Sequence, residues 1–132
     1  MIGIDTNVLV RVFVEDAPDQ TKAALRVLSE LSHERPGYVS IVVLVEMVWV
    51  LRRSYGFEND AIFAAIDTLF DSANIEIESA VLVQDAVDTA HELSADFADV
   101  LIVQSAREAG ALKTVTFDQS AAKRIPGMEL LA

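Results

Sequence analysis

Short apolar segments with strand character alternate with longer helical segments along the whole chain. The predicted strands cover residues 2–5, 37–40, 74–77, 113–117 and 128–130. The predicted helices begin near Thr6 and cover residues 18–33, 41–54, 58–70, 81–93, 99–109 and 118–124. Strands separated by helices are typical of parallel sheets. The pattern therefore predicts an α/β fold, a parallel sheet of about four or five strands with helices on both faces.

Residues at the ends of these segments support the boundaries. Pro18 lies where a proline fits the first turn of a helix, Gly56 ends the third helix, and Gly110 follows the helix of residues 99–109. The apolar first strand, at the N-terminus, is typical of a buried central strand. In parallel sheets ligands bind beyond the carboxyl ends of the strands, where Asp5 and Asp118 stand.

Length and composition indicate one domain with a substantial core. The chain has 132 residues, of which 52% are hydrophobic, and it contains no repeat or linker. The absence of cysteine excludes disulfides, thiolate zinc sites and cysteine nucleophiles, and fits a reducing compartment. We find no signal-like segment and no apolar run of about 18 residues, as a membrane helix would need. We expect a cytoplasmic protein without membrane association.

The net charge of −11 argues against strong general affinity for nucleic acid. It does not exclude a nuclease, because metal ions bound by carboxylates reverse the local charge that a phosphate meets. A basic partner protein would also be attracted to such an acidic surface.

Four carboxylates, Asp5, Glu46, Asp99 and Asp118, lie at chemically informative places in the chain. Three of them stand at or just before a predicted helix start, where Asp is a preferred N-cap. Taken singly, each of these three is better explained as a cap than as a catalyst. Capping and metal binding are compatible, because the positive end of a helix favours a charged carboxylate.

Glu46 has no such structural explanation. It is the only charged residue between Tyr38 and Leu51, within an apolar helical segment. A helix that is apolar all round is a buried one, and a buried carboxylate needs a partner or a metal ion. A salt bridge to Arg11 or Arg52 is the competing interpretation, which we rank below a metal site.

The order of four motifs resembles that of a PIN domain, and more narrowly the VapC-type ribonuclease toxins of toxin-antitoxin pairs. The motifs are residues 4–9 (IDTNVL), Glu46 within the apolar helix, residues 96–102 (DFADVLI), and residues 115–118 (VTFD) followed by residues 126–129 (PGME). The resemblance covers nearly the whole chain, so the hypothesis is a single PIN domain over residues 1–132.

This resemblance implies a metal-dependent endoribonuclease. The acidic positions hold one or two Mg²⁺ or Mn²⁺ ions, in keeping with the preference of hard cations for oxygen ligands. Asp5 and Asp99 are expected as direct ligands, Asp118 as a ligand directly or through water, and Glu46 as a residue that positions a metal-bound water or completes a second site. Supporting roles fall to Thr6, Asn7, Asp96 and Thr116, with Asp96 alternatively a helix cap.

The resemblance also implies partners. Such toxins are inhibited by a small VapB-like antitoxin whose C-terminal part carries basic side chains, they act on RNA, and they commonly form homodimers. The kind of RNA is left open, because it depends on loops and on groove shape. A housekeeping PIN nuclease in RNA processing is the main alternative.

Two other function classes are less well supported. A phosphatase or receiver would use an aspartate as phosphoryl acceptor, but Asn7 stands where the phosphatase pattern has a second aspartate, and near the third strand only Glu76 and Glu78 occur. A non-catalytic PIN-like binding module would be expected to lack carboxylates that this chain retains.

Several other side chains are interpreted as structural. His33 and His91 show no sign of convergence and are interpreted as surface or packing residues. Trp49 is expected in the core, as aromatic residues of apolar helices usually are. Basic residues that could contact RNA are better explained as solvated: Arg52, Arg53, Lys113, Lys123 and Arg124.

Overall fold

The computed structural model describes all residues, 1–132, and contains five strands and seven helices in the predicted order. The strands are β1 (Ile2–Gly3), β2 (Gly37–Val39), β3 (Ile75–Ile77), β4 (Thr114–Thr116) and β5 (Met128–Leu130). The helices are α1 (Thr6–Phe13), α2 (Pro18–Ser29), α3 (Ile41–Tyr55), α4 (Asn59–Asp71), α5 (Ala80–Leu93), α6 (Phe97–Glu108) and α7 (Gln119–Arg124). None of these helices is long and apolar enough to cross a membrane.

Most predicted boundaries lie within two residues of the observed ones, and the end of α2 is the main exception. We predicted that this helix continues to residue 33, but it ends at Ser29. The backbone groups of Ser32 and Arg35 hydrogen-bond to each other in both directions, at 3.1 and 3.2 Å. This closed turn, immediately before Pro36, ends the helix by using the backbone groups that further helical turns would need.

The chain forms two compact units, Met1–Glu78 and Ser79–Ala132. In the first unit, β1, β2 and β3 form a parallel sheet in that order. The expectation that β1 is a central strand is therefore wrong, since β2 lies between the other two. At Gly37 in β2, a Cβ atom would lie 2.6 Å from Cδ1 of Ile4 and 2.9 Å from Cδ1 of Leu31. Glycine thus lets apolar side chains close over the central strand.

The helices of the first unit pack as a connected group. Helix α1 packs against α2 and α3, and α4 packs against α3 and β3. The buried residues of α3 are Leu44, Met47, Val48 and Leu51, which repeat at helical spacing and form one stripe. Gly56 ends α3 with φ of +69°, a left-handed conformation that glycine adopts without strain.

In the second unit, β4 and β5 form a separate parallel pair. Every strand pairing is parallel, as predicted, but the five strands are divided between two sheets. Helix α5 packs against α6, and α7 packs against both β4 and β5. Phe97, at the start of α6, is the largest of the fully buried side chains.

Replacing Ser40, the N-cap of α3, tests the local anchoring of this helix. The Ser40 hydroxyl accepts a hydrogen bond from the Val43 N–H at 3.2 Å. We expect Ser40→Ala to lower the free energy of unfolding by about 1 kcal/mol, measured by urea denaturation followed by circular dichroism. Ser54→Ala, on the exposed surface of the same helix, is the matched control and should change stability by less than about 0.5 kcal/mol. Equal effects of both substitutions would contradict the capping role.

Candidate functional site

Asp5 lies at the carboxyl end of β1 and caps α1. Its Oδ1 accepts a hydrogen bond from the Thr6 backbone N–H at 2.7 Å, which confirms the predicted N-cap. The side chain is exposed, while the next residue, Thr6, is buried. The strand end therefore presents a carboxylate to solvent above the start of a helix.

Glu46 lies on α3 and meets the start of α1 through Thr6. The Thr6 hydroxyl donates a hydrogen bond to Oε1 of Glu46. This contact joins residues that are 40 positions apart in the chain. This hydrogen bond fixes one carboxylate oxygen of Glu46 beside Thr6, whose backbone N–H is bound by Asp5.

The expectation that Glu46 is buried is wrong. Glu46 is exposed, as are Val42 and Trp49 on the same helix, at 75% and 59%. Only one stripe of α3 packs into the core, so apolar residues also lie on its outer face. Trp49 is therefore not a core residue; the guanidinium of Arg53 lies 5.7 Å from the centre of its ring.

Asp5 and Glu46 line one pocket of about 250 Å³. Its walls come from one face of α1, from Glu46 and Val50 one helical turn apart on α3, and from the strand end that carries Asp5. The α1 residues in this lining are Thr6, Asn7, Val10 and Arg11. Three residues proposed from the sequence as ligands or supports thus share a pocket with Glu46.

Arg11 is the residue of this pocket whose position the sequence interpretation missed. The sequence indicates it only as a possible salt-bridge partner of Glu46. Its Nη1 instead pairs with Oδ1 of Asp16, and its Nη2 donates to the Tyr55 hydroxyl at 3.3 Å. The hydrogen bond to Tyr55 is the main cause that raises the pKa of Arg11. The other proposed partner, Arg52, donates to Asn59 Oδ1 at 2.8 Å.

In the second unit, Asp96 and Asp99 lie at the start of α6. Asp96 is the N-cap, and its Oδ1 accepts a hydrogen bond from the Asp99 backbone N–H at 3.0 Å. The interpretation of Asp99 as a cap is therefore wrong, because α6 begins two residues earlier than predicted. Asp99 lies in the first turn instead, and both side chains are half-buried.

Asp118 follows β4 and caps α7. Its Oδ1 accepts a hydrogen bond from the Ala121 N–H at 3.0 Å, as predicted for a cap. The backbone N–H of Asp118 in turn donates to the Thr116 hydroxyl at 3.0 Å. Thr116 thus holds the backbone that carries the Asp118 carboxylate.

The carboxylates of the second unit influence one another electrostatically. Burial is the largest cause that raises the pKa of Asp99, and the negative charges of Asp96 and Asp118 raise it further. Like charges that act on one half-buried group oppose its ionisation. A bound cation would remove this repulsion.

Both histidines are exposed, His33 in the turn that follows α2 and His91 on α5. Each lies in a different compact unit, and neither lines a pocket with a carboxylate of the proposed site. The interpretation of both as surface residues agrees with this placement.

A family model decides the identity of the fold. The model described as PIN domain matches residues 2–127. The chain belongs to the PIN-domain family. No curated protein sequence is significantly similar to this PIN domain.

Two solved structures are similar to this PIN domain over almost its whole length. One is the Mycobacterium tuberculosis toxin VapC20, which cleaves the sarcin-ricin loop; it is 20% identical, with 93% of this chain and 94% of that chain covered and a TM-score of 0.45. The other is VapBC2 from Rickettsia felis, bound to a DNA fragment from the promoter of VapBC2. It is 18% identical, with 99% of this chain and 98% of that chain covered and a TM-score of 0.38. At these scores the likeness does not extend to a function.

The donor chemistry of this PIN domain fits a hard divalent cation, which prefers carboxylate oxygens. Asp5 and Glu46 share a pocket in the first unit, and Asp99 is electrostatically coupled to Asp96 and Asp118 in the second. No group of three or more His, Cys, Asp or Glu side chains is arranged in the structure to hold a metal.

The raised pKa of Asp99 predicts a pH-dependent gain in stability for Asp99→Asn. A carboxyl with a raised pKa in the folded state stabilises the fold fully below its unfolded pKa, about 3.9. This stabilising contribution is lost as the pH rises through the raised pKa of the folded state. Without added metal, the variant should therefore be more stable than the native chain at pH 7.

Thermal unfolding in EDTA between pH 3 and pH 7 measures this effect. The difference in Tm between Asp99→Asn and the native chain should narrow toward pH 3, where the carboxyl is protonated in both states. A variant that is less stable at pH 7, or a difference that does not change with pH, would contradict the assigned electrostatics.

Proposed function

We propose that this PIN domain is a metal-dependent endoribonuclease that hydrolyses RNA phosphodiester bonds with water as the nucleophile. The observation that carries the proposal is the pocket in which Asp5 and Glu46, distant in sequence, lie together beside Thr6 and Asn7. Membership of the PIN family over residues 2–127 supports the same reaction. The chain has no cysteine nucleophile, and a water nucleophile requires none.

PIN nucleases generally use divalent metal ions. In this proposal Asp5 and Asp99 bind Mg²⁺ or Mn²⁺ directly, Asp118 binds directly or through water, and Glu46 positions a water or completes a second site. A bound divalent ion would lower the pKa of a water molecule, and its positive charge would stabilise the negative charge on the phosphate and on the leaving oxygen. The number of ions, one or two, is part of the test below.

The side chains of the protein have definable roles around this chemistry. The Thr6 hydroxyl holds one oxygen of Glu46, which leaves the other oxygen free to orient a water molecule. Thr116 and Asp96 hold the backbone N–H groups of Asp118 and Asp99, which restricts where these carboxylates point. Groups that hold metal ligands in place contribute roughly 10- to 100-fold to affinity or activity. By the precedent of the PIN family, the proposed cleavage leaves a 5′-phosphate and a 3′-hydroxyl.

The biological role we propose is that of the toxin in a VapBC-type pair. The motif order from residues 4–9 to residues 126–129 supports it, because the same order is typical of VapC-type toxins. The proposed partner is a VapB-like antitoxin with a basic C-terminal segment, which the net charge of −11 would attract. A homodimer is proposed as the working assembly.

Cleavage assays with single substitutions test the catalytic proposal. The purified protein should cleave RNA in the presence of Mg²⁺ or Mn²⁺, and cleavage should stop when EDTA is added. Asp5→Asn, Asp99→Asn and Glu46→Gln should each lose on the order of a hundredfold or more in rate, because each neutralises a proposed metal ligand or the carboxylate proposed to position a water. Metal titration by calorimetry gives the number of ions independently of activity.

Asp67→Asn is the matched control for these variants. It removes one negative charge from the exposed surface of α4 and lines no pocket described above. It should cleave RNA at the native rate. If Asp5→Asn and Asp99→Asn cleave as fast as this control, the site assignment is wrong.

Growth experiments test the toxin role separately from the chemistry. Expression of the protein alone should arrest growth, and co-expression of the small adjacent reading frame should restore it, because the antitoxin would occupy the acidic site. Expression of Asp99→Asn should not arrest growth. RNA cleavage in vitro without toxicity and without such a neighbouring frame would indicate a housekeeping PIN nuclease instead.

A further inference from the structure

Arg11 is the only positively charged residue that lines the pocket of Asp5 and Glu46. A chain with a net charge of −11 repels RNA at long range, so any phosphate contact must come from local cations. A guanidinium within the same pocket as the candidate metal ligands is the group best placed to make one.

The Arg11 side chain is held in a defined position. Asp16 and Tyr55 contact its two terminal nitrogens, and the Tyr55 hydroxyl also donates to Asp16 Oδ2 at 3.0 Å. Thr21, at the start of α2, donates to the Arg11 backbone carbonyl at 3.0 Å. The α1–α2 connection and the end of α3 thus fix the direction in which the guanidinium extends.

These contacts do not exhaust the hydrogen-bonding capacity of Arg11. Each terminal nitrogen of a guanidinium carries two N–H groups, and the contacts with Asp16 and Tyr55 use one on each, so further N–H donors remain for an incoming acceptor. A phosphate has the acceptor geometry that a guanidinium fork matches best.

Arg11 also borders a second pocket. Asn7 and Arg11 are four residues apart on one face of α1, and both line this pocket of about 320 Å³ between α1 and α2. Each residue therefore lies between the pocket that contains the carboxylates and a neighbouring one. A strand of RNA that passes from one pocket to the other would carry a phosphate past Arg11.

We propose that Arg11 binds an RNA phosphate adjacent to the one that is cleaved, and that Asp16 and Tyr55 position it for that contact. This inference rests on the proposed nuclease function and assigns a substrate-binding group to its site. Arg11 contacts substrate without taking part in bond cleavage, so its loss should weaken binding more than turnover.

Steady-state cleavage of a short fluorogenic single-stranded RNA of random sequence, in Mn²⁺ at several KCl concentrations, tests the proposal. Arg11→Gln should raise KM roughly tenfold, as loss of a charged hydrogen bond implies, with kcat within about threefold of the native value. The slope of log KM against log salt should fall by about 0.7, the value for one phosphate contact on a single strand. A residue with only a structural role would leave this slope unchanged.

Arg26→Gln is the matched control, because it removes the same charge from an exposed position on α2 that lines neither pocket. Its KM and salt slope should equal the native values. Arg11→Lys should keep the salt slope, since the charge remains, but raise KM because the planar fork is lost. Tyr55→Phe should likewise raise KM and keep the slope, because it frees Arg11 without discharging it.

The outcomes separate the two proposals. If the native protein cleaves RNA and Arg11→Gln matches Arg26→Gln in both KM and slope, the role of Arg11 is overturned while the nuclease function stands. If Arg11→Gln does not fold, as judged by circular dichroism, native KM values for Arg11→Lys and Tyr55→Phe overturn the role instead. If the native protein neither binds nor cleaves the RNA, both proposals fail.

Discussion

The packing of α1 against α3 determines where the candidate groups of the first unit lie. Asp5 is fixed at the start of α1 by its capping hydrogen bond, and Glu46 is fixed on α3 by its contact with the Thr6 hydroxyl. At the other end of α1, Arg11 is tied to Tyr55, the last residue of α3. Polar contacts near both ends of α1 thus join it to α3, and residues of both contacts line the pocket. Apolar packing alone would allow small rotations that these hydrogen bonds restrict.

The second unit concentrates negative charge at a cost in stability. Asp99 is half-buried while Asp96 and Asp118 act on it, and these effects together raise its pKa. A protein selected only for stability would place a neutral side chain there, because burying and crowding a carboxylate disfavours the folded state. Retention of such a group is typical of functional sites, where residues serve a ligand at the expense of the fold. In the first unit, by contrast, Asp5 and Glu46 are exposed.

The sequence predicted the order of all twelve elements, because helix caps, glycines and apolar periodicity are local signals. It also placed Asp5 and Asp118 correctly as caps. Properties that depend on tertiary packing are harder to predict from the sequence. The apolar run around Glu46 does not reveal that α3 buries only one stripe, so Glu46 and Trp49 were wrongly expected inside. The sheet order and the division of the strands between two sheets likewise depend on contacts between distant segments, which periodicity cannot report.

The position of Arg11 illustrates what a local reading cannot recover. From the sequence, a basic residue six positions after Asp5 is only a possible neutraliser of a nearby acid. In the structure its partners come from Asp16, five residues away, and from Tyr55, 44 residues away. An arginine paired with one carboxylate in an acidic chain is usually a surface ion pair of little consequence. Here the arginine side chain is 20% exposed, its guanidinium is oriented by a tyrosine as well, and the residue borders two pockets. That combination is what a phosphate ligand requires, because fixed orientation lowers the entropic cost of binding and local positive charge offsets the acidic surroundings.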